Sequence, residues 1–463
     1  MATQIDIREE LACAPIPASD HPFLSGIHRP MEAERTLADL AVEGTIPAAL
    51  DGCYLRIGPN PIAPDPANYH WFSGDGMVHG LKLSNGKAQW YRNRWIRSER
   101  VGEALGVPKA PGPRNLFDTV NTNVLAIGGQ TYALVEAGSF PVKLGATLGD
   151  QQYDPFGGTL HGSYTAHPHL DPLTGENHAI CYSADNPGQI RHVVVDAGGK
   201  VTRELAIPVE HGPMIHDCAI TARYVVILDL PVTLSLPAAM AGKPFPYRWN
   251  PQHRARVGLL PRNGEAADVI WCDVEPCSVF HVANAFDRAD GTVIMDVCAY
   301  GTMFGPEAVG PDGAARGLER WTIDPATGTV AIAAIDATPQ EFPRPDERRF
   351  GQPYRYAYAM AVPADPAAEF VGDTRLFRHD LVEGTRQIHD FGPHRHPGEF
   401  VFVPASEDAA EGEGWLVGFV VNMASDTTDF VVLDAMRFEE PPVGVVHLPH
   451  RVPAGFHGNW VPG

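Results

Sequence analysis

The stretch Val78-His79-Gly80-Leu81-Lys82-Leu83-Ser84-Asn85-Gly86-Lys87-Ala88-Gln89-Trp90-Tyr91-Arg92 decides the fold class. An Asn-Gly pair between two apolar runs is the strongest short hairpin signal, because a type I′ turn needs positive φ at both central residues. The spacing therefore predicts two antiparallel strands joined at Asn85-Gly86. The same rhythm extends in both directions. Cys53-Tyr54-Leu55-Arg56-Ile57 precedes the turn Gly58-Pro59-Asn60-Pro61, and Thr131-Tyr132-Ala133-Leu134-Val135 reads as a strand. Strands are also expected at Ile190-Arg191-His192-Val193-Val194-Val195, Tyr224 to Leu230, Trp321 to Asp324, Phe400 to Pro404, Trp415 to Val421 and Phe430 to Ala435. Many short strands between turn signals, with no long helices interleaved, mean an all-β sandwich, barrel or propeller. Size and strand count favour a propeller. No WD-type repeat recurs, so its blades are divergent.

The chain has 463 residues, 44% hydrophobic and 20% charged, and a net charge of -21. Length alone allows two or three domains or one large all-β domain. The acidic balance gives no general attraction for nucleic acid or anionic lipid. Seven scattered cysteines without a CxxC pair read as reduced thiols. The first ten residues lack the basic and apolar regions of a signal peptide, and no apolar run is long enough to span a bilayer, so the expected location is cytoplasmic. A single domain over 1–463 is expected, with residues 1–45 forming an arm over its body and a short helix near Met31-Glu32-Ala33-Glu34-Arg35. Residues 231–247, apolar and broken by prolines, are either a packed loop or an apolar lip that admits a greasy ligand and makes a shallow membrane contact.

Among 20 histidines, four sit in apolar or turn contexts beside strands: His167, His216, His281 and His457. The last lies in Val452-Pro453-Ala454-Gly455-Phe456-His457-Gly458-Asn459-Trp460-Val461-Pro462, read as a final strand tied into the body. Alone, each is more simply structural. In a propeller, inner-strand positions converge on the axis, so four imidazoles from distant blades can share one metal without HxxH spacing. Imidazole suits iron, zinc and copper, and each ligand needs an acceptor for its other N–H. Glu136, Glu341 and Glu399 lie in apolar strand contexts and are the candidates. His253, His379, His389, His394 and His396 lie among charges and read as solvated.

These motifs together resemble the carotenoid cleavage oxygenase family. The resemblance runs from about Gly44 to Pro462. It rests on Leu55-Arg56-Ile57-Gly58-Pro59-Asn60-Pro61, His70-Trp71-Phe72-Ser73-Gly74-Asp75-Gly76-Met77-Val78-His79, Asn121-Thr122-Asn123-Val124, Thr165-Ala166-His167-Pro168, Met214-Ile215-His216-Asp217, Glu341-Phe342-Pro343-Arg344, Gly398-Glu399 and Gly455-Phe456-His457-Gly458. It implies a seven-bladed propeller with a helical and loop dome over one face. It implies Fe(2+) held by His167, His216, His281 and His457, with Glu136 serving His216, Glu341 serving His281 and Glu399 serving His457. Thr122 matches a position that crowds one open iron site. The implied reaction cleaves a conjugated C=C bond with O2 to give two carbonyls, with no flavin, haem or reductant.

Trp71, Phe72, Phe140, Phe280 and Phe456 are tunnel candidates by motif proximity, or simply core. Stilbene-type members carry a lysine directly before the first glutamate; here that residue is Val135. This favours a carotenoid or apocarotenoid substrate over an aryl alkene, for which Tyr91 or Tyr164 would have to hold the phenol. An iron-dependent retinoid isomerohydrolase and a propeller that only binds a partner are the remaining readings.

Overall fold

The computed structural model describes residues 10–115, 117–365 and 370–463. Asn85 and Gly86 take φ values of 51° and 70°, and strands Gly76–Ser84 and Lys87–Trp95 run antiparallel on either side of them. Strand Gly52–Pro59 pairs with Gly76–Ser84 along one edge and with the last strand, Gly458–Pro462, along the other. The two ends of the chain therefore close one sheet. Farther out, Arg35–Leu37 adds to the edge of Lys87–Trp95, and Ala41–Gly44 pairs with Gly444–Leu448.

The remaining strands form antiparallel groups in chain order. Their first strands lie against one another in sequence: His169–Leu170, Cys218–Ile220, Ser278–Asp287, Gln340–Pro345, Val401–Pro404, then Gly458–Pro462, which meets Asn123–Ile127. This arrangement is an all-β propeller. Among the described residues, six sheets have four or more strands, not the seven separate ones expected. The difference has a specific cause. One parallel bridge, Asp273 to Thr329, fuses two four-stranded antiparallel groups into an eight-stranded sheet. Among the described residues the α-helices are two and short, Glu99–Leu105 and Leu236–Met240, so the expected dome is mostly loop.

Apolar side chains fill the wedges between sheets. Between the sheet of Gly52–Pro59 and that of Gly414–Asn422, Tyr54, Leu81, Phe419 and Phe430 are fully buried. Burial of each such aliphatic or phenyl side chain contributes roughly 1.5–3 kcal/mol.

Of the expected arm, residues 1–9 lie outside the described residues. The helix expected at Met31 to Arg35 is absent: Ala33 bridges Ala12, and Arg35 begins a strand. Tertiary partners override helix propensity here. The Glu34 carboxylate is buried and accepts from Trp95 N at 2.9 Å and Arg97 Nη2 at 2.8 Å, while Arg35 N donates to Asn93 Oδ1 at 2.8 Å. The proline-broken stretch after Leu230 forms a two-stranded ribbon, Val232–Leu234 with Tyr247–Trp249, enclosing the helix Leu236–Met240. Leu236 and Met240 are 64% and 88% exposed, so the segment is not a packed loop throughout. All seven cysteines are free thiols. Among the described residues, no helix is long and apolar enough to cross a membrane.

Candidate metal centre

Each of the four expected histidines sits on or just before an innermost strand. His167 precedes His169–Leu170, His216 precedes Cys218–Ile220, His281 lies within Ser278–Asp287, and His457 precedes Gly458–Pro462. Local irregularities aim them inward. The pairing of Ser278–Asp287 shifts register on both sides of Val282, next to His281, and a bulge re-aims the side chains around it. Gln340–Pro345 shifts between Glu341 and Arg344, and Phe342 inside that shift has φ of 52°. Ala137, directly after Glu136, has φ of 57°. Left-handed backbone at a non-glycine residue costs roughly 1–3 kcal/mol, and here it falls directly after two glutamates of the site. At Gly458 an added Cβ would lie 2.5 Å from Tyr54 Oη, so only glycine lets the final strand approach closely enough to seat His457.

The four rings converge. One ring nitrogen from each lies within 4.8 Å of the others, and all four residues are buried. His216 Nε2 is 3.2 Å from His281 Nε2, which is 3.1 Å from His457 Nε2. Three of the rings are tied at their far nitrogens. His216 Nδ1 donates to Glu136 Oε1 at 2.7 Å, His281 Nδ1 to Glu341 Oε2 at 2.6 Å, and His457 Nδ1 to Glu399 Oε1 at 3.1 Å. With the protons on Nδ1, the Nε2 atoms present lone pairs to one another. No hydrogen bond satisfies that arrangement. His167 Nε2 is likewise buried without a partner.

A proton on His281 could bridge to one neighbour but not to all. A metal ion satisfies the whole set. Imidazole nitrogens bound at about 2.1 Å and at right angles to one another are roughly 3 Å apart, which matches the spacing found. The donor set of neutral imidazoles with carboxylates behind them fits a borderline divalent ion such as iron.

Electrostatics grade the rings. Burial and then the neighbouring imidazoles hold the His167 pKa well below its ordinary value. Burial also lowers that of His457, against the pull of Glu399. At His281 desolvation is outweighed by the Glu341 carboxylate, and the pKa rises. Desolvation opposes ionisation of Glu399, yet Arg344 and His457 together hold its pKa down to about 2. Arg344 Nη1 donates to Glu399 Oε1 at 3.4 Å, and Glu399 Oε2 accepts from Gly458 N at 2.7 Å. That carboxylate thus orients both the ring and the strand that follows it.

Two cavities meet the cluster from different sides. One, of about 650 Å³, touches His216, His281 and His457 and is walled by Trp71, Phe72, Phe280, Phe342, Phe370 and Phe456. The other, of about 270 Å³, touches His167, His281, His457 and Glu399 and is lined by Asn123, His169, Asn177, Asp217, Arg344 and Asn459. Thr122 lines the larger cavity with its hydroxyl donated to Asn121 Oδ1 at 2.9 Å. Val135 also lines it.

Several expectations need correction. Phe140 does not line the cavity; it packs beside Tyr132, Phe156 and Tyr164. Tyr91 and Tyr164 are buried elsewhere, Tyr91 bound to His79 Nδ1 at 2.8 Å, so neither can hold a phenol. His253, His379 and His389 are buried, not solvated, with partners Asp229, Gln340 and the Phe438 carbonyl. Tyr182, Phe245, Tyr247 and Phe370 line the cavity and were not singled out. Phe245 and Tyr247 belong to the apolar segment already marked; Tyr182 and Phe370 carry no local signal.

The retinal pigment epithelial membrane protein family profile matches residues 28–462. A carotenoid cleavage oxygenase of Mycobacterium tuberculosis is 41% identical, with 96% of this chain and 98% of that protein covered. Among solved structures, a lignostilbene dioxygenase of Pseudomonas brassicacearum superposes with a TM-score of 0.86 at 28% identity, covering 97% of this chain and 100% of that one. A cobalt-substituted ACO of Synechocystis superposes with a TM-score of 0.83 at 27% identity, covering 96% and 99%.

Proposed function

The chain belongs to the carotenoid cleavage oxygenase family, and on that premise we propose that it is a non-haem Fe(II) dioxygenase that cleaves a conjugated C=C bond of a carotenoid or apocarotenoid with O2 into two carbonyl products. The convergence of four imidazole nitrogens with no hydrogen bonds available among them carries this reading. His167, His216, His281 and His457 would hold the iron, which when bound supplies the binding and activation of O2 beside the alkene.

The chain's own residues do the rest. Glu136, Glu341 and Glu399 keep the proton of each partner histidine on Nδ1 and leave Nε2 free to coordinate. The aromatic walls exclude water and fix which double bond lies over the centre, so site choice is positional. Thr122 narrows the floor on one side. We read the eight-stranded sheet as two blades joined at its one parallel bridge, and the run of inner strands supports a seven-bladed, single-domain reading. Leu236 and Met240 form an exposed apolar lip suited to a shallow membrane contact. Free thiols fit a reducing, cytoplasmic compartment.

Cleavage of an aryl alkene is the second reading. The superposition on a lignostilbene dioxygenase supports it, and Val135 in the cavity wall weighs against it by offering no cation. The test is to load the protein with Fe(II) and incubate it with an apocarotenoid and with 4-vinylphenol under labelled O2. Label in aldehydes from the apocarotenoid is the expected result. Aldehydes from the vinylphenol alone would select the second reading. Isomerised apocarotenoid without oxygen uptake would overturn both.

A further inference from the structure

The two cavities that meet the histidines differ in chemistry. The walls of the smaller one run from His167, His281 and His457, all buried, to Ala126, Leu170, Glu347 and Pro462, all exposed. It therefore reaches from the axial rings to the surface. Apolar groups such as Leu125 and Phe350 share these walls with three carboxylates, Asp217, Glu347 and Glu399, and a single guanidinium, Arg344. The polar groups are fixed in place. Arg344 Nη1 donates to Glu399 Oε1 at 3.4 Å, and its Nη2 donates to Asn459 Oδ1 at 2.6 Å and to Glu347. Asp217 Oδ1 accepts from His169 Nε2 at 2.8 Å, and Oδ2 accepts from Val282 N at 2.8 Å. The larger cavity offers the reverse. Rings and aliphatic groups dominate its walls, and its exposed lining includes Phe117, Leu236 and the cationic Lys243. Its one carboxylate, Glu136, is already taken by His216 Nδ1 and Tyr182 Oη.

A divalent ion travels with its waters, and an apolar chamber strips them at high cost. A cleft with an excess of one charge concentrates the opposite ion. Six waters occupy roughly 180 Å³, less than the smaller cavity's volume of about 270 Å³. Resting on the metal reading above, we propose that the smaller cavity is the route by which a hydrated divalent metal ion reaches and leaves the four histidines. The larger cavity is then left to the alkene, and metal exchanges whether or not that cavity is filled.

Co(II) is the probe, because its visible absorption reports binding. Its uptake by the metal-free full chain and its release from the loaded chain to excess chelator are timed. Ala126→Arg and Leu170→Arg put bulk and positive charge at the exposed rim of the smaller cavity. Each should slow uptake and release about tenfold and leave equilibrium affinity within about twofold, since a charged barrier on a route is crossed in both directions. Ala126→Trp, with bulk and no charge, should slow both as well. Leu236→Arg, in the lining of the larger cavity, should change neither rate. Slowing by Leu236→Arg, alone or with the rim variants, would bring the metal through the larger cavity and overturn the proposal. Unchanged rates in every variant would overturn it too. So would lost affinity in the rim variants, which would mean that they act on the site and not on a route. The metal reading fails separately. A wild-type chain that binds no Co(II) removes that reading, whereas normal affinity with unchanged rates in the rim variants removes the route alone. Neither rate depends on whether the chain cleaves an alkene.

Discussion

Two groups of histidines in this molecule are equally buried and behave oppositely. In the outer group, Arg262 Nη1 donates to His178 Nε2 at 2.7 Å, and His178 Nδ1 donates to His192 Nε2 at 3.1 Å. Each exposed lone pair meets a proton. In the axial group, the carboxylates of Glu136, Glu341 and Glu399 take the Nδ1 protons and leave the Nε2 lone pairs pointing at one another. Burial and clustering are common to both; the direction of the lone pairs is not. A chain of histidines whose lone pairs are each met by a proton is structural, even though the His192 Nδ1–H at its end has no acceptor among the described residues. A ring whose lone pairs meet only one another asks for a cation.

The largest expected effect comes from breaking the axial ring. His281→Ala should lower iron affinity by more than the roughly 10–100-fold typical of losing an outer partner and abolish cleavage, while circular dichroism shows a folded chain. Stoichiometric iron in that variant would refute its role as ligand. Glu399→Gln keeps the shape but removes the charge behind His457. Metal titration should show a loss of roughly 10–100-fold, and wild-type affinity would mean that this carboxylate serves packing alone.

In the outer group the same kind of change should do the opposite. His192→Gln should lower stability by roughly 1–3 kcal/mol, because it disturbs a buried donor–acceptor chain, and leave bound iron unchanged. Iron loss in proportion to that destabilisation would erase the distinction between the groups.

The smallest effect is on acid stability. Burial, with Arg262 beside one ring and His178 beside the other, lowers the pKa values of His178 and His192 to about 3. Both are depressed below the unfolded value of about 6.5, so the unfolded chain binds protons first. Their contribution is intact above that value and is lost as pH falls from about 6.5 towards 3. Denaturant melts across that window should be flatter for His192→Gln than for wild type. Parallel profiles would show that neither ring sets the acid limb.

Much of the fold was legible because its signals are local. Asn85-Gly86 sets its turn from two residues, and the expected strands appear where apolar runs meet turn residues. The axial histidines were legible as candidates from their apolar neighbours, but their assignment as one set came with the resemblance, since nothing in local spacing joins His167 to His457. The structure supplied what depends on distance. His253, His379 and His389 sit among charged neighbours in sequence and are buried by partners 24 to 49 positions away. Arg35 was read as helical from composition, yet its backbone is claimed by Asn93. Tyr182 sits in the cavity wall because it reaches Glu136 across 46 positions, a pairing no local pattern encodes. The strain at Ala137 and Phe342 was equally invisible, because it exists only where the glutamates are held inward.

X-ray absorption at the iron edge of protein loaded with Fe(II) tests the central claim most directly. One iron per chain in a shell of imidazole nitrogens is the result the four converging rings predict. Iron bound through sulfur, or a preparation that retains no iron while correctly folded, would contradict it.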